Sequence, residues 1–265
     1  MNALKVSALS SRTLWMGVVA LLLAMLQGCA MSPNANPRDP WEPFNRGVYS
    51  FNDGLDEAVV KPVATAYQQV TPQIMRTGVT NFFGNIGDVW SFVNNVLQLK
   101  PAESVETFFR VGVNTSIGLF GLIDVASELR LKKHSEDFGQ TLGYWGMPAG
   151  PYVVLPLFGP STLRDSLALP VDAKGNLVGR VDDVALRNSL VTLRLVDLRA
   201  NLLRAGRLLD AAALDKYSFT RDAYLQRRRG LVRMQESEVN WDEERFDLPA
   251  PNQPGVSPGD TKTSP

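Results

Sequence analysis

The sequence predicts a mostly α-helical fold, on three observations. Apolar residues recur at steps of three or four through most of the chain, which is the period of an amphipathic helix. Pro62, Pro72 and Pro101 divide part of that pattern into helix-sized pieces, because proline cannot continue a helix it does not start. No clear run of alternating apolar and polar residues marks out strands.

The chain begins with a targeting segment. Residues 1–28 carry Lys5 and Arg12, no acid, and the 13-residue apolar run Leu14 to Leu26. A helix crossing a bilayer needs roughly 20 residues, so this run reads as a cleaved signal peptide. It ends at Leu26-Gln27-Gly28-Cys29, where a small residue precedes the only cysteine in the chain. That is the layout of a lipobox, although Gln27 is less usual in its middle. Cys29 would take a diacylglycerol on its thiol and a third acyl chain on the amine freed by cleavage; the alternative is a free thiol beside a conventional cleavage site. Each buried methylene contributes about 0.8 kcal/mol and stable anchoring takes two chains or more, so three would hold the protein on its membrane. Ala30, where inner-membrane retention would call for Asp, points to the outer membrane.

Composition excludes several partner and scaffold classes. The signal peptide holds two of the 27 basic residues and none of the 27 acidic ones, which leaves the mature chain near balance at about −2. Such a charge gives no reason to expect nucleic acid. With Cys29 acylated no thiol remains for a disulfide or a cysteine metal site. Residues 29–265 suffice for one sizeable domain stabilised by packing, with membrane as a possible part of the solvent.

Residues 29–38, with Pro33 and Pro37, read as a tether between lipid and body. Asp39, Pro40 and Glu42 resemble an N-cap, a first-turn proline and a capping-box acid. Trp41, Phe44, Val48, Phe51, Leu55 and Val59 then line one side of a helix. Past Pro72, Ile86, Val89, Trp90, Val93, Val96 and Leu97 share a side, with Asn94, Asn95 and Gln98 on the other. A further helix runs from Pro101 through Phe108 and Phe109 toward Ser116. Val111 to Ile123 has no charged residue and contains Gly112, Gly118 and Gly121. It is too short to cross a bilayer as one helix and fits either a helical hairpin buried in a soluble core or one dipping into lipid. Phe138 to Pro160 is too rich in glycine and proline for a long helix; within it, Tyr152 to Leu155 fits a short strand or an irregular segment equally well. Val181 to Leu214 and Thr220 to about Gln235 return to helical spacing, the latter carrying Arg227, Arg228, Arg229 and Arg233. Residues 236–265 begin acidic and end as a proline-rich tail expected to be disordered.

Little in the sequence points to bond-making chemistry. His134 is the only histidine, in the charged run Lys132 to Asp137 that reads as a solvated loop. No nucleophile elbow, zinc motif or phosphate-binding glycine loop is present, so neither catalytic nor metal residues are expected. Asp182 and Asp183 read as helix-capping acids. The basic residues at 227–229 fit either an acidic partner or lipid head groups, or a solvated face neutralised by the acids after them.

Several segments in order resemble the MlaA (VacJ) family of outer-membrane lipoproteins. They are Asp39-Pro40-Trp41-Glu42-Pro43-Phe44-Asn45-Arg46, Asn81-Phe82-Phe83-Gly84-Asn85, Gly121-Leu122-Ile123-Asp124-Val125-Ala126, Asp137 to Gly143, Gly150 to Pro156, and Thr162 to Asp165. The likeness covers roughly residues 39–233 and defines a helical domain over 39–235. It implies an all-α, ring-like bundle of amphipathic helices embedded in one leaflet of the outer membrane around an amphipathic passage. The implied function is removal of misplaced phospholipids from the outer leaflet, preserving lipid asymmetry, and delivery to a soluble periplasmic carrier of the Mla system. A trimeric porin is an implied partner, phospholipid the implied ligand, and no cofactor beyond the acyl chains on Cys29 is expected. Under this reading Phe51 and Asn52, with Gly118, Leu119, Phe120, Gly121, Leu122 and Ile123, are candidates for the passage or its hairpin, flexing at Gly118 and Gly121. Arg227, Arg228 and Arg229 are candidates for contact with the carrier. A membrane-tethered phospholipase and a structural lipoprotein are the alternatives.

Overall fold

The computed structural model describes residues 36–239. The signal peptide, Cys29 and residues 240–265 lie outside it, as does most of the tether. Helix α1 (Glu42–Leu55) passes through one π turn (Asp56–Val60) into α2 (Lys61–Val70). α3 (Gln73–Leu97) and α4 (Pro101–Ser116) form a long pair, followed by the short α5 (Val125–Glu128) and α6 (Phe138–Tyr144). An antiparallel hairpin of β1 (Tyr152–Leu155) and β2 (Gly159–Thr162) follows, with Tyr152 opposite Thr162 and Leu155 opposite Gly159. α7 (Leu163–Gly175), a 3-10 turn (Leu177–Arg180), α8 (Val184–Ala212) and α9 (Lys216–Val239) complete the described chain. The fold is mostly helical, as the apolar spacing predicts.

Local chemistry sets the boundaries. Asp124, Asp137, Thr162 and Asp183 each accept a hydrogen bond from a first-turn N–H and so start α5, α6, α7 and α8. Pro72 separates α2 from α3, and Pro101 opens the first turn of α4. Pro62 does not cut the chain as the sequence pattern suggests. The Lys61 N–H reaches back five residues to the Asp56 carbonyl, and in that wider register Pro62 falls in the first turn of α2, where its missing N–H is no loss.

The side chains are arranged inside out. Among the described residues, 20 buried ones are polar or charged and only 10 are apolar, while 36 large apolar residues are exposed. In α3 the two sides are those the sequence separates, but the polar side with Asp88, Ser91, Asn94 and Asn95 is buried, and Val93, Val96 and Leu97 face out. α4 repeats this, burying Ser104, Thr107, Arg110 and Asn114 and exposing Val105, Phe108 and Phe109. Two small apolar clusters remain. Ala64, Ala200 and Leu203 join α2 to α8, and Tyr152, Val154 and Tyr217 join the hairpin to α9. Among the described residues no helix is long and apolar enough to cross a membrane.

Such an interior is held by hydrogen bonds, because a buried polar group without a partner is costly. Asp39 is not the cap of α1, whose N-cap position is Trp41. It is fully buried and accepts from Asn45 Nδ2 at 2.8 Å, Tyr217 OH at 2.5 Å and Arg221 Nη1 at 3.3 Å. Asn45 also serves as a substitute strand for β1, donating to the Tyr152 carbonyl at 3.1 Å and accepting from the Val154 N–H at 2.9 Å. Arg110, 1% exposed, donates to both Asp124 oxygens at 3.1 and 3.2 Å and to the Leu131 carbonyl.

The uncharged segment ending at Ile123 is neither a helical hairpin nor core. α4 stops at Ser116, and Leu119, Phe120 and Gly121 take positive φ in a tight turn. Ile117, Leu119, Phe120, Leu122 and Ile123 are all exposed. At Gly118 and Gly121 the backbone comes close to other groups. A Cβ on Gly118 would lie 2.2 Å from the Ile123 carbonyl oxygen, and one on Gly121, at φ +89°, 2.6 Å from Asn85 Cβ.

Three expectations follow. Gly121→Ala combines a left-handed backbone with that overlap and should destabilise the fold by about 1–3 kcal/mol. Gly47→Ala, whose Cβ meets nothing within 4 Å on α1, should leave the thermal midpoint unchanged or higher, and melting the two detergent-solubilised variants side by side checks this. Burial pushes the Asp124 carboxyl up, but hydrogen bonds from Ser127 and Asn114 and the Arg110 charge outweigh it and hold it down at about 2. Its unfolded value is near 3.9, so its contribution is present above about pH 4 and is lost as pH falls toward 2. The loss of thermal midpoint between pH 5 and pH 2.5 should be smaller in Asp124→Asn than in the wild type.

Candidate functional site

Where α3, the hairpin, α7 and α9 face one another they line an open cavity of about 1610 Å³. Pockets for drug-sized molecules occupy roughly 300–1,000 Å³, so this one suits a larger ligand. Phe83, Ile86, Trp90, Leu155, Phe158 and Leu169 give it apolar wall, while Asp88, Ser91, Lys133, His134, Gln140 and Asp172 give it polar wall.

The polar wall owes its shape to Lys132–Asp137, read from sequence as a solvated loop. It is a loop with Lys132, Lys133 and Ser135 exposed, fastened to its neighbours at several points. Glu106 of α4 accepts from the Lys132 N–H and hydrogen-bonds His134 Nε2 at 2.9 Å. Burial pushes Glu106 up, yet these contacts hold it below the ordinary range. Lys133 Nζ lies 3.4 Å from Asp88 Oδ1 on α3. The Glu136 N–H donates to Ser91 Oγ at 3.2 Å, and its carboxylate meets Lys100 Nζ at 3.3 Å. Asp137 caps α6.

On α9, Arg228 donates to Asp137 at 2.6 and 3.0 Å and from Nε to Asp165 Oδ2 at 2.9 Å. Tyr224 OH donates to the same Asp165 oxygen at 2.9 Å. Both acids are pushed up by burial and pulled below the usual carboxylate range by Arg228. This bidentate clamp docks α9 onto α6 and α7. Opposite it, Asp172 Oδ1 accepts from Trp90 Nε1 and the Phe138 N–H, both at 2.8 Å. Desolvation dominates there, and the Asp172 carboxyl is raised.

The sequence-predicted residues fall in three places. Arg227 and Arg228 both line the cavity, Arg227 exposed and Arg228 turned inward, while Arg229 is exposed and donates to the Leu225 carbonyl. Arg228 is therefore not the exposed contact expected of it, because Asp137 and Asp165 already occupy its guanidinium. Asn52 stands behind the cavity, donating to the Leu155 carbonyl at 3.0 Å and accepting from the Leu157 N–H at 2.8 Å. It fixes the hairpin turn whose Leu155, Pro156 and Phe158 are wall. Phe51 is exposed on α1. Residues 118–123 are not wall; they lie along the first half of α3, where Asn81 Nδ2 donates to the Leu122 carbonyl at 3.2 Å.

The residues missed from sequence are Asp88, Lys133 and His134. Asp88 carries a usable signal, since Asp88, Ser91, Asn95 and Gln98 recur at helical spacing on α3 and so mark a polar seam.

Comparison with known proteins agrees with this architecture. The family model for the MlaA lipoprotein matches residues 37–231. The intermembrane phospholipid transport system lipoprotein MlaA of Escherichia coli K12 is 37% identical over 218 residues, covering 80% of this chain and 86% of its own. The protein of that name from Haemophilus influenzae is 34% identical over 220 residues, covering 79% and 87%. A solved structure described as the structural basis for maintenance of bacterial outer membrane lipid asymmetry superposes with a TM-score of 0.64 at 34% identity, covering 73% of this chain and 98% of its own. The chain belongs to the MlaA lipoprotein family.

Proposed function

We propose that this protein is an outer-membrane phospholipid-transport lipoprotein whose cavity is the lipid passage. The observation that carries the reading is the combination of a large amphipathic cavity with an apolar exterior. A phospholipid needs polar wall for its head group and apolar wall for its tails, and both are present. Thirty-six exposed large apolar residues exceed what a water-soluble surface ordinarily carries as scattered single residues, and they suit a body lying within one leaflet. With no helix among the described residues fit to cross a bilayer, embedding in one leaflet is the arrangement we favour. Acyl chains on Cys29 hold the body there on the periplasmic side.

In this reading the protein takes misplaced phospholipid from the outer leaflet and passes it to a soluble periplasmic carrier, beside a trimeric porin. The names of its relatives support transport and asymmetry; direction, porin and carrier rest on the family resemblance. Arg227 and Arg229, both exposed on α9, are the remaining candidates for the carrier contact. Phe51 and residues 117–123 present apolar side chains outward, so their proposed place is against acyl chains. Transport requires no bond to break, and His134, which faces the cavity, is assigned to its polar wall.

Deleting the protein from its host should raise outer-leaflet phospholipid and detergent sensitivity; an unchanged leaflet composition would overturn the reading. Photo-crosslinkers at Phe158 in the cavity and Leu119 outside it should both capture phospholipid in intact cells. Capture at neither would favour a tethered structural lipoprotein. Against the phospholipase alternative, purified wild type and His134→Ala should both leave phospholipid intact.

A further inference from the structure

Among the acid-paired lysines and arginines of the cavity wall, Lys133 stands out in how it is held. Arg228 and Lys100 are each 12% exposed and committed to acids. The Lys133 side chain is 45% exposed, although its partner Asp88 is only 3% exposed. Its ammonium rests against α3 where Gly84 leaves room; a Cβ there would lie 2.8 Å from Lys133 Nζ. Gly84, Asp88 and Lys133 all belong to the cavity wall.

Asp88 has a second cation behind it. Arg110 Nε lies 3.7 Å from Asp88 Oδ2, and each of these two buried atoms lacks a hydrogen-bond partner. They face each other just beyond bonding distance. If Lys133 turned away, Asp88 would keep a counterion, and a small shift would close the Arg110–Asp88 contact. A buried carboxylate stripped of its only partner is strongly destabilising, and Arg110 removes that obstacle. The Lys133 backbone belongs to no helix or strand, so its side chain is free to swing without disturbing one.

We infer that Lys133 is an exchangeable cation that leaves Asp88 to bind the phosphodiester of a phospholipid head group inside the cavity. The inference rests on the lipid-passage reading and adds the group recognised and the residue that recognises it. Lysine serves phosphate as a mobile point charge with three donors, as a group that must bind and then release requires. Salt-bridge exchange leaves the charge of the wall unchanged at each step.

The test uses the full-length acylated protein in detergent, with a fluorescent phosphatidylglycerol and a diacylglycerol carrying the same chains and label. Lys133→Gln should bind the phospholipid about tenfold more weakly, equivalent to about 1.4 kcal/mol, with diacylglycerol binding unchanged. Lys133→Arg should recover most of the loss. Inorganic phosphate at millimolar concentration should not displace the lipid, since it lacks the tails that fill the apolar wall. Equal phospholipid binding by wild type and Lys133→Gln would overturn the inference and leave the passage intact. Parallel loss of phospholipid and diacylglycerol would assign Lys133 to fold support and also overturn it. Displacement by phosphate would make the site a general anion site, against the lipid assignment. A wild type that binds neither lipid would remove the passage reading itself.

Discussion

The constraint on which the rest of this structure depends is that its interior is polar, so buried groups must find one another. In an ordinary domain apolar area drives helices together and hydrogen bonds refine the fit. Here the long α3–α4 pair encloses Asn95 donating to Thr107 and Asn85 donating to Thr115. The hairpin is gripped by Asn45 and Asn52, and α9 by the Arg228 clamp. Directional contacts of this kind fix helix rotation more tightly than apolar contact does, because a donor turned away is left unsatisfied. The same contacts keep the cavity open, since acids and bases that neutralise each other across its wall have no reason to collapse into it.

Much of the helical layout was legible, and its sign was not. Periodicity reveals that a helix has two unlike sides, and α3 and α4 have the sides expected. Which side faces inward depends on the solvent, and a lipid-facing helix has the same period as a water-facing one. The charged run at 132–137 is a loop with Lys132, Lys133 and Ser135 exposed, as its composition suggests, but its place beside a cavity was not legible. Lys133, His134 and Glu136 line the cavity through contacts with residues far along the chain.

Other features were hidden because they need partners far along the chain. Tyr152–Leu155 is a strand partly because Asn45, 107 residues before Tyr152, completes its edge. Three consecutive arginines on a helix point in directions about 100° apart, so Arg227 lines the cavity exposed, Arg228 lines it within the clamp, and Arg229 faces out. Sequence could name the trio without sorting it. Asp39 looked like a cap because caps and buried anchors use the same residue types, and only Tyr217 and Arg221 distinguish the two.

That anchor also sets the length of a leash. Asp39 is immobilised among Asn45, Tyr217 and Arg221, and it lies ten positions after Cys29. Fully extended, that stretch spans at most about 35 Å. In the arrangement proposed above, with Cys29 acylated, a body displaced from its leaflet would stay within one bilayer thickness of it, at a high effective concentration. Return then becomes a local search along the surface rather than a fresh encounter from the periplasm.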